Sequence, residues 1–324
     1  MHIPDNYLSP STCAVMGAVM LPIWAIAVKK VKKEITKKNL PLLGIGAAFS
    51  FLIMMFNIPL PGGTSGHAVG GTLVAILLGP FAACISVTIA LLIQAFLFGD
   101  GGILAFGANC FNMAFVLPFT GYYAFYFIKS IVKSKKSDYI SALIGSYIGI
   151  NMSTLFAATE FGIQPLLFKD ASGMAIYCPY PLSVSIPAML IPHLLVIGFL
   201  EGMVTAGVYI YIKKLSPDVI YKRSSKKLKS VYKLIMALII LTPLGLIAGG
   251  TAWGEWGADE INSVLIPQAI KHGFKFRSLI PDYTINGMPK SIGYILSAIA
   301  GVSISIIVFK IISSVKSKKS KLQQ

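Results

Sequence analysis

Charge is scarce in this chain. Asp, Glu, Lys and Arg make up 12% of its 324 residues, about half the share of an average soluble domain, which excludes an ordinary water-soluble globule. Acidic residues number only 12 against 28 basic ones. That excess does not describe a nucleic-acid binder: the lysines come in short clusters directly after apolar runs, with no basic helix interleaved with aromatics. The four cysteines, Cys13, Cys84, Cys110 and Cys178, show no CxxC and no disulfide-like spacing. Nucleotide loops are also missing. LFGDGG at 97–102 has no following GK[ST], and no GxGxxG occurs, so any ATP that drives this protein is hydrolysed by a partner. There is no HExxH, zinc-ligand cluster or nucleophile–base pair.

What is abundant is apolar sequence, 55% of the chain. Apolar segments fall at about 10–28, 40–58, 67–79, 81–98, 103–128, 138–162, 185–212, 232–250 and 290–312, and runs near 20 residues cross roughly 30 Å of hydrocarbon. The expected fold is all-α and polytopic: a seven-segment body at 1–212, a basic linker at 213–231, and a two-helix module at 232–324 with an outer loop at 251–289. With the N-terminus outside, all but five of the 28 basic residues (Lys169, Lys271, Lys275, Arg277 and Lys290) lie on the cytoplasmic side, as the positive-inside rule requires. The C-terminus is then cytoplasmic. The N-terminus lacks the basic region of a cleavable signal and is expected to be retained.

The segment at 67–79 is short for a span. It follows PLPGGTSG, whose prolines and glycines forbid regular helix. Irregular backbone at membrane depth survives only when buried in protein or lining a cavity. His67 is therefore expected to start a half-length helix entered from an outer loop, on the same face as His2.

Histidine occurs four times, as His2, His67, His193 and His272. A bulky second residue protects Met1 from removal, which leaves an amine, a backbone amide and an imidazole within one dipeptide. The Met1 amine, the deprotonated His2 amide and His2 Nδ1 form two fused chelate rings and three corners of a square. A neutral imidazole such as that of His67 can fill the fourth. Square-planar nitrogen suits Ni(II) or Cu(II), whereas Zn(II) prefers a tetrahedron. The plainer alternatives are an exposed terminal residue for His2 and a capping or hydrogen-bonding role for His67. Spacing alone does not decide between them.

Other polar residues have two readings each. Asn109 and Asn112 are glue between helices or orient the ligands; Thr64 and Ser65 beside His67 share that status. His193 and Glu201, eight apart in one span, are a functional pair at membrane depth or a hydrogen-bonded pair that fixes packing. Asp100 reads as a turn former.

Three stretches, MHIPDNYLSPSTCAVMG, FNIPLPGGTSGHAVGG and IQAFLFGDGGILAFGANCFNMAF, resemble the CbiM/NikM family, the metal-binding S components of energy-coupling-factor (ECF) cobalt and nickel importers. The resemblance spans roughly residues 1–212. It implies that Met1, His2 and His67 hold Co(II) or Ni(II) in a square plane, and that partners are a transmembrane ECF T component and ABC-type ATPases in a prokaryotic cell membrane. The ion is cargo; no cofactor is implied. Asn6 stands where many relatives have glycine, and asparagine tolerates positive φ. TPLGLIAGGTAWGEWGADEI resembles the start of the small N component, fused on. Its acids, with Asp282, concentrate cations weakly or merely cap and solvate a short loop, and in either reading do not belong to the metal site. The competing class, an intramembrane metalloenzyme or metal sensor using the same N-terminal site, lacks an open catalytic position. Lipid is a partner and nucleic acid is not.

Overall fold

The computed structural model describes residues 1–35, 39–61, 63–217, 228–256 and 267–321. It is an all-α membrane protein. Among the described residues, seven helices are long and apolar enough to span a bilayer: α1 (Pro10–Glu34), α4 (Pro80–Phe98), α5 (Phe106–Ile131), α6 (Ser137–Leu167), α7 (Leu182–Leu215), α8 (Lys229–Ile247) and the Lys290–Ile312 part of α9 (Lys290–Lys321). Two shorter helices, α2 (Leu40–Met54) and α3 (Gly71–Leu78), lie between α1 and α4.

Local chemistry sets the ends of these elements. Ser9 caps α1, its hydroxyl accepting from the Thr12 N–H at 3.0 Å, with Pro10 in the first turn. Lys32 and Lys33 close the same helix at the negative end of its dipole. Helix α3 has eight residues, all buried, and at 1.5 Å per residue is about 12 Å long. It cannot span. Gly79, with φ of 95°, turns the chain and Pro80 starts α4, so α3 is a half-length helix joined to α4 by a tight turn.

Two details differ from the sequence reading. The PLPGGTSG stretch contains a small antiparallel hairpin, β1 (Ile58–Leu60) against β2 (Thr64–Gly66). His67 does not begin the half-length helix. That helix starts at Gly71, because Gly70 sits in the left-handed region at φ of 71°. The amides of Val69 and Gly70 turn sideways to the Glu201 carboxylate at 2.8 Å and 3.0 Å. His67 is thereby held on extended chain ahead of the helix.

Helices α2, α3 and α4 form the centre of the bundle. Helices α8 and α9 pack against α2, α9 most closely: a Cβ on Gly301 would meet the Phe51 ring at 2.2 Å, and one on Gly44 the Ile306 backbone at 3.1 Å. Small residues let backbones approach where lipid supplies no hydrophobic drive between helices. This packing carries the segment after α8 to the same end of the bundle as the N-terminus, where Ser65 of β2 bridges Ala252.

Candidate metal centre

The N-terminal nine residues form no helix, yet Met1, His2 and Ile3 are almost fully buried. Buried irregular backbone needs partners for its polar groups, and side chains supply them. Asn109 Oδ1 accepts from the Ile3 N–H at 2.7 Å, while its Nδ2 donates to the Ile3 carbonyl at 3.0 Å. The same carbonyl accepts from the Gly102 N–H at 2.8 Å. Asp5 Oδ1 accepts from the Leu104 N–H at 2.7 Å. Asn6 adopts φ of 71° and pairs through its amide with both the N–H and the carbonyl of Phe274. Further along, Cys178 donates its N–H to the Tyr7 carbonyl, and Gln164 accepts from the Ser9 N–H. The Met1 sulfur accepts from the Thr154 hydroxyl at 2.9 Å.

These anchors bring the N-terminal dipeptide against His67. The His2 and His67 ring centroids are 5.0 Å apart with 36° between planes. His67 Nδ1 lies 3.0 Å from the Ala68 carbonyl. A carbonyl only accepts, so Nδ1 carries the proton and Nε2 keeps its lone pair. That Nε2 is buried without a hydrogen-bond partner, as are both ring nitrogens of His2. His2 Nδ1 stands 3.2 Å from Asp100 Oδ1, close but not aligned as a hydrogen bond. Burial first, then the N-terminal ammonium and His2, hold the His67 imidazole well below its ordinary pKa of 6.5. It is a neutral base at physiological pH, the form that binds a metal ion.

A carboxylate from the C-terminal module closes on the N-terminal nitrogens. Glu255 Oε1 accepts from the Met1 ammonium at 2.6 Å and from the His2 N–H at 2.8 Å. His2, His67 and Glu255 offer ligand atoms that all lie within 4.8 Å of one another. Burial opposes the Glu255 charge, but the ammonium and His2 outweigh it and keep its carboxyl below the usual 4.5. A cavity of about 250 Å³ opens from His2, His67 and Glu255, with Asp100, Asp282 and Tyr283 on its walls. Buried, unpartnered nitrogens beside an acid-lined cavity fit a divalent cation.

The remaining sequence candidates divide. Asn109 reaches the N-terminal segment, whereas Asn112 donates to the buried Glu160 at 2.8 Å. Thr64 and Ser65 face the module: the Thr64 hydroxyl donates to the Thr251 carbonyl at 3.1 Å and Ser65 bridges Ala252. His193 and Glu201 do not pair. Glu201 serves the loop after His67. His193 donates Nδ1 to the Met189 carbonyl at 2.7 Å and leaves Nε2 unpartnered, on a small cavity shared with Met1 and Ser65. A π turn at His193–Ile197 changes the helix register between them.

Glu255 is the residue that sequence reasoning placed elsewhere, among acids serving as a weak outer field. Nothing local in GTAWGEWGADEI distinguishes it from Asp259 and Glu260, which lie outside the described residues. The distinction is tertiary: Trp253 packs on Phe161 and Tyr180, and the Trp256 carbonyl accepts from the Tyr7 hydroxyl at 2.9 Å. Those contacts aim the intervening carboxylate at residue 1.

Comparison with known proteins gives two family matches. Residues 2–219 match the family described as cobalt uptake substrate-specific transmembrane region (CbiM), and residues 227–318 match the PDGLE domain. The probable fused nickel transport protein LarMN of Lactiplantibacillus plantarum is 48% identical, over 96% of this chain and 97% of its own. The fused nickel transport protein NikMN of Rhodobacter capsulatus is 44% identical, over 94% of each. Among solved structures, a truncated transition metal transporter is 55% identical, with a TM-score of 0.63 over 66% of this chain and 99% of that one.

Proposed function

Because the chain belongs to the family of cobalt uptake substrate-specific transmembrane regions, as a multi-pass membrane transport protein and not an enzyme, we propose that it captures Ni(II) from outside the cell and passes it inward. The observation that carries this is that His2 and His67 lie with ring centroids 5.0 Å apart and leave His2 Nδ1 and His67 Nε2 buried without hydrogen-bond partners. The Met1 amine, the His2 amide and Nδ1, and His67 Nε2 make four donors, with the imidazole nitrogens buried and unpartnered. A planar set of nitrogens suits Ni(II), and a deprotonated amide lowers the formal charge of the buried complex. Three fused relatives that match over 93–96% of the chain are named for nickel, at 34–48% identity. Those named for cobalt share 29–33%, over 64–84% of the chain. Co(II), which also takes a square plane when low-spin, is the competitor against which selectivity is measured.

In this reading His2 faces outward, supported by the clustering of Lys and Arg on the opposite side. The partners are a transmembrane T component and ABC-type ATPases, supported by the missing nucleotide loop and by the resemblance of the N-terminal motifs to S components. The test is a Ni(II) titration of purified His67→Ala and His272→Ala proteins. His67→Ala loses tight binding, and His272→Ala retains it. Equal affinities would move the site away from His67. Uptake by the chain alone in liposomes supplied with ATP would refute the dependence on partners.

A further inference from the structure

The PDGLE part of the chain lines the candidate site with several residues, and one of them, Glu255, reaches the N-terminal nitrogens. Glu255 Oε1 sits 2.6 Å from the Met1 nitrogen and 2.8 Å from the His2 amide nitrogen. These are two of the four nitrogens that the proposed function assigns to the ion, and the inference rests on that reading. The carboxylate is not free to wander. The Glu255 N–H donates to the Ala252 carbonyl at 3.0 Å, Ala252 bridges Ser65 beside His67, and Trp253 and Trp256 anchor the flanks. Gly254, at φ of 80°, makes the turn, and a Cβ there would press on the Phe161 ring at 3.1 Å.

Metal binding changes what these nitrogens can donate. The ammonium gives up one proton and keeps two N–H bonds when it coordinates. The amide gives up its only N–H. Both protons leave for water in the adjoining cavity, and the ion takes the two vacated lone pairs. The bound amine still has N–H groups in a site where Met1 is closed to solvent, and an unsatisfied buried donor is costly. Glu255 Oε1 is the acceptor already in place.

We infer that Glu255 is a positioning residue supplied by the fused C-terminal module: it holds the N-terminal amine by a hydrogen bond that persists when the ion binds, and so aims the amine lone pair at the ion. The module thus completes the site without lending it a ligand. The carboxylate accepts from the amine in both states and loses only the amide N–H on loading. Glutamine preserves an acceptor oxygen at that place; alanine does not.

The experiment uses the full chain in detergent, with Ni(II) as the probe. Wild type, Glu255→Gln and Glu255→Ala are compared for affinity, dissociation rate and ligand-field absorption, with melting of the metal-free proteins as the control for folding. Glu255→Ala weakens Ni(II) about 10- to 100-fold, the usual cost of losing a partner that orients a ligand, chiefly through faster dissociation. Glu255→Gln recovers most of that loss, and its absorption bands match wild type. Wild-type affinity and dissociation in Glu255→Ala would overturn the inference, as would equal weakening of both variants. Shifted bands in Glu255→Gln would also overturn it, since they would place the carboxylate on the ion itself. Failure of wild type to bind Ni(II), or tight binding by His67→Ala, would instead defeat the underlying reading of the site.

Discussion

Asn109 grips Ile3 at both ends of its backbone: the side-chain oxygen accepts the Ile3 N–H at 2.7 Å and the side-chain nitrogen donates to the Ile3 carbonyl at 3.0 Å. The amide acts as a surrogate strand partner for a segment with no secondary structure. One residue beyond the proposed ligand His2, it sets where the dipeptide lies.

Asn109→Ala removes both bonds and is expected to weaken Ni(II) binding about 10- to 100-fold. Asn109→Asp keeps an acceptor for the Ile3 N–H but sets a carboxylate oxygen against the Ile3 carbonyl, so it does not rescue. Ni(II) titration of both variants checks this; wild-type affinity in either would show that the clamp is dispensable.

The glycines at 101–102 leave room for the N-terminal segment. A Cβ on Gly102 would stand 2.5 Å from the Asp5 nitrogen and 2.8 Å from the Pro4 carbonyl carbon, both backbone atoms. Gly102→Ala therefore displaces the segment that carries His2, at a cost of roughly 1–3 kcal/mol in stability and with loss of tight metal binding. Gly17 on α1 has nothing within 4 Å of such a Cβ, and Gly17→Ala is expected to be neutral or slightly stabilising. Paired melting curves and titrations decide it.

Glu201 satisfies the amides of Val69 and Gly70 from across the bundle. Glu201→Ala leaves those donors buried and unpaired, at roughly 1–3 kcal/mol each, and frees the chain that holds His67. Both melting temperature and Ni(II) affinity fall. Glu201→Gln, with one acceptor oxygen left, falls less. A variant that lost stability but kept full affinity would uncouple the loop from the site.

Much of this was legible in the sequence. The nine apolar segments and the half-length element followed from hydropathy and from PLPGGTSG, and the shared outer face of His2 and His67 from the same reading. These are signals carried by residues near one another in the chain. The start of α3 was misplaced because the Glu201 contact that keeps His67 extended joins residues 131 and 132 apart. Asn109 and Asn112 looked equivalent, and only their packing separates a clamp on Ile3 from a partner of Glu160. Glu255 was invisible as a site residue for the same reason, since its partners are 253 and 254 positions away. Local pattern identifies donors. It does not say which donors meet.

His67 and Glu255 each make a contribution to the stability of the metal-free protein that falls with acid. His67 has a folded pKa depressed from 6.5, so as pH falls below about 6.5 the unfolded chain takes up the proton first. Stability then declines until the folded value is reached. Glu255 has a folded pKa lowered from 4.5, so its contribution is intact above about 4.5 and is lost as pH falls through the folded value. Melting temperature against pH checks both: His67→Asn flattens the decline that begins near 6.5, and Glu255→Gln flattens the part below 4.5. Unchanged slopes would contradict the assigned charge states.

The central claim is that the ion is held by the free N-terminus. It is tested most directly by comparing Ni(II) affinity of the native chain with that of a chain carrying Gly-Ser-Gly-Ser before Met1. The longer extension matters, because a single added residue would create a new amine–amide–amide–imidazole chelate ending at His2. With the extension, Met1 nitrogen becomes an amide inside a closed site, and tight binding is expected to disappear, while the same four residues added after Gln324 leave it intact. Equal affinity of the N-terminally extended and native proteins, with His67 unchanged, would contradict the account.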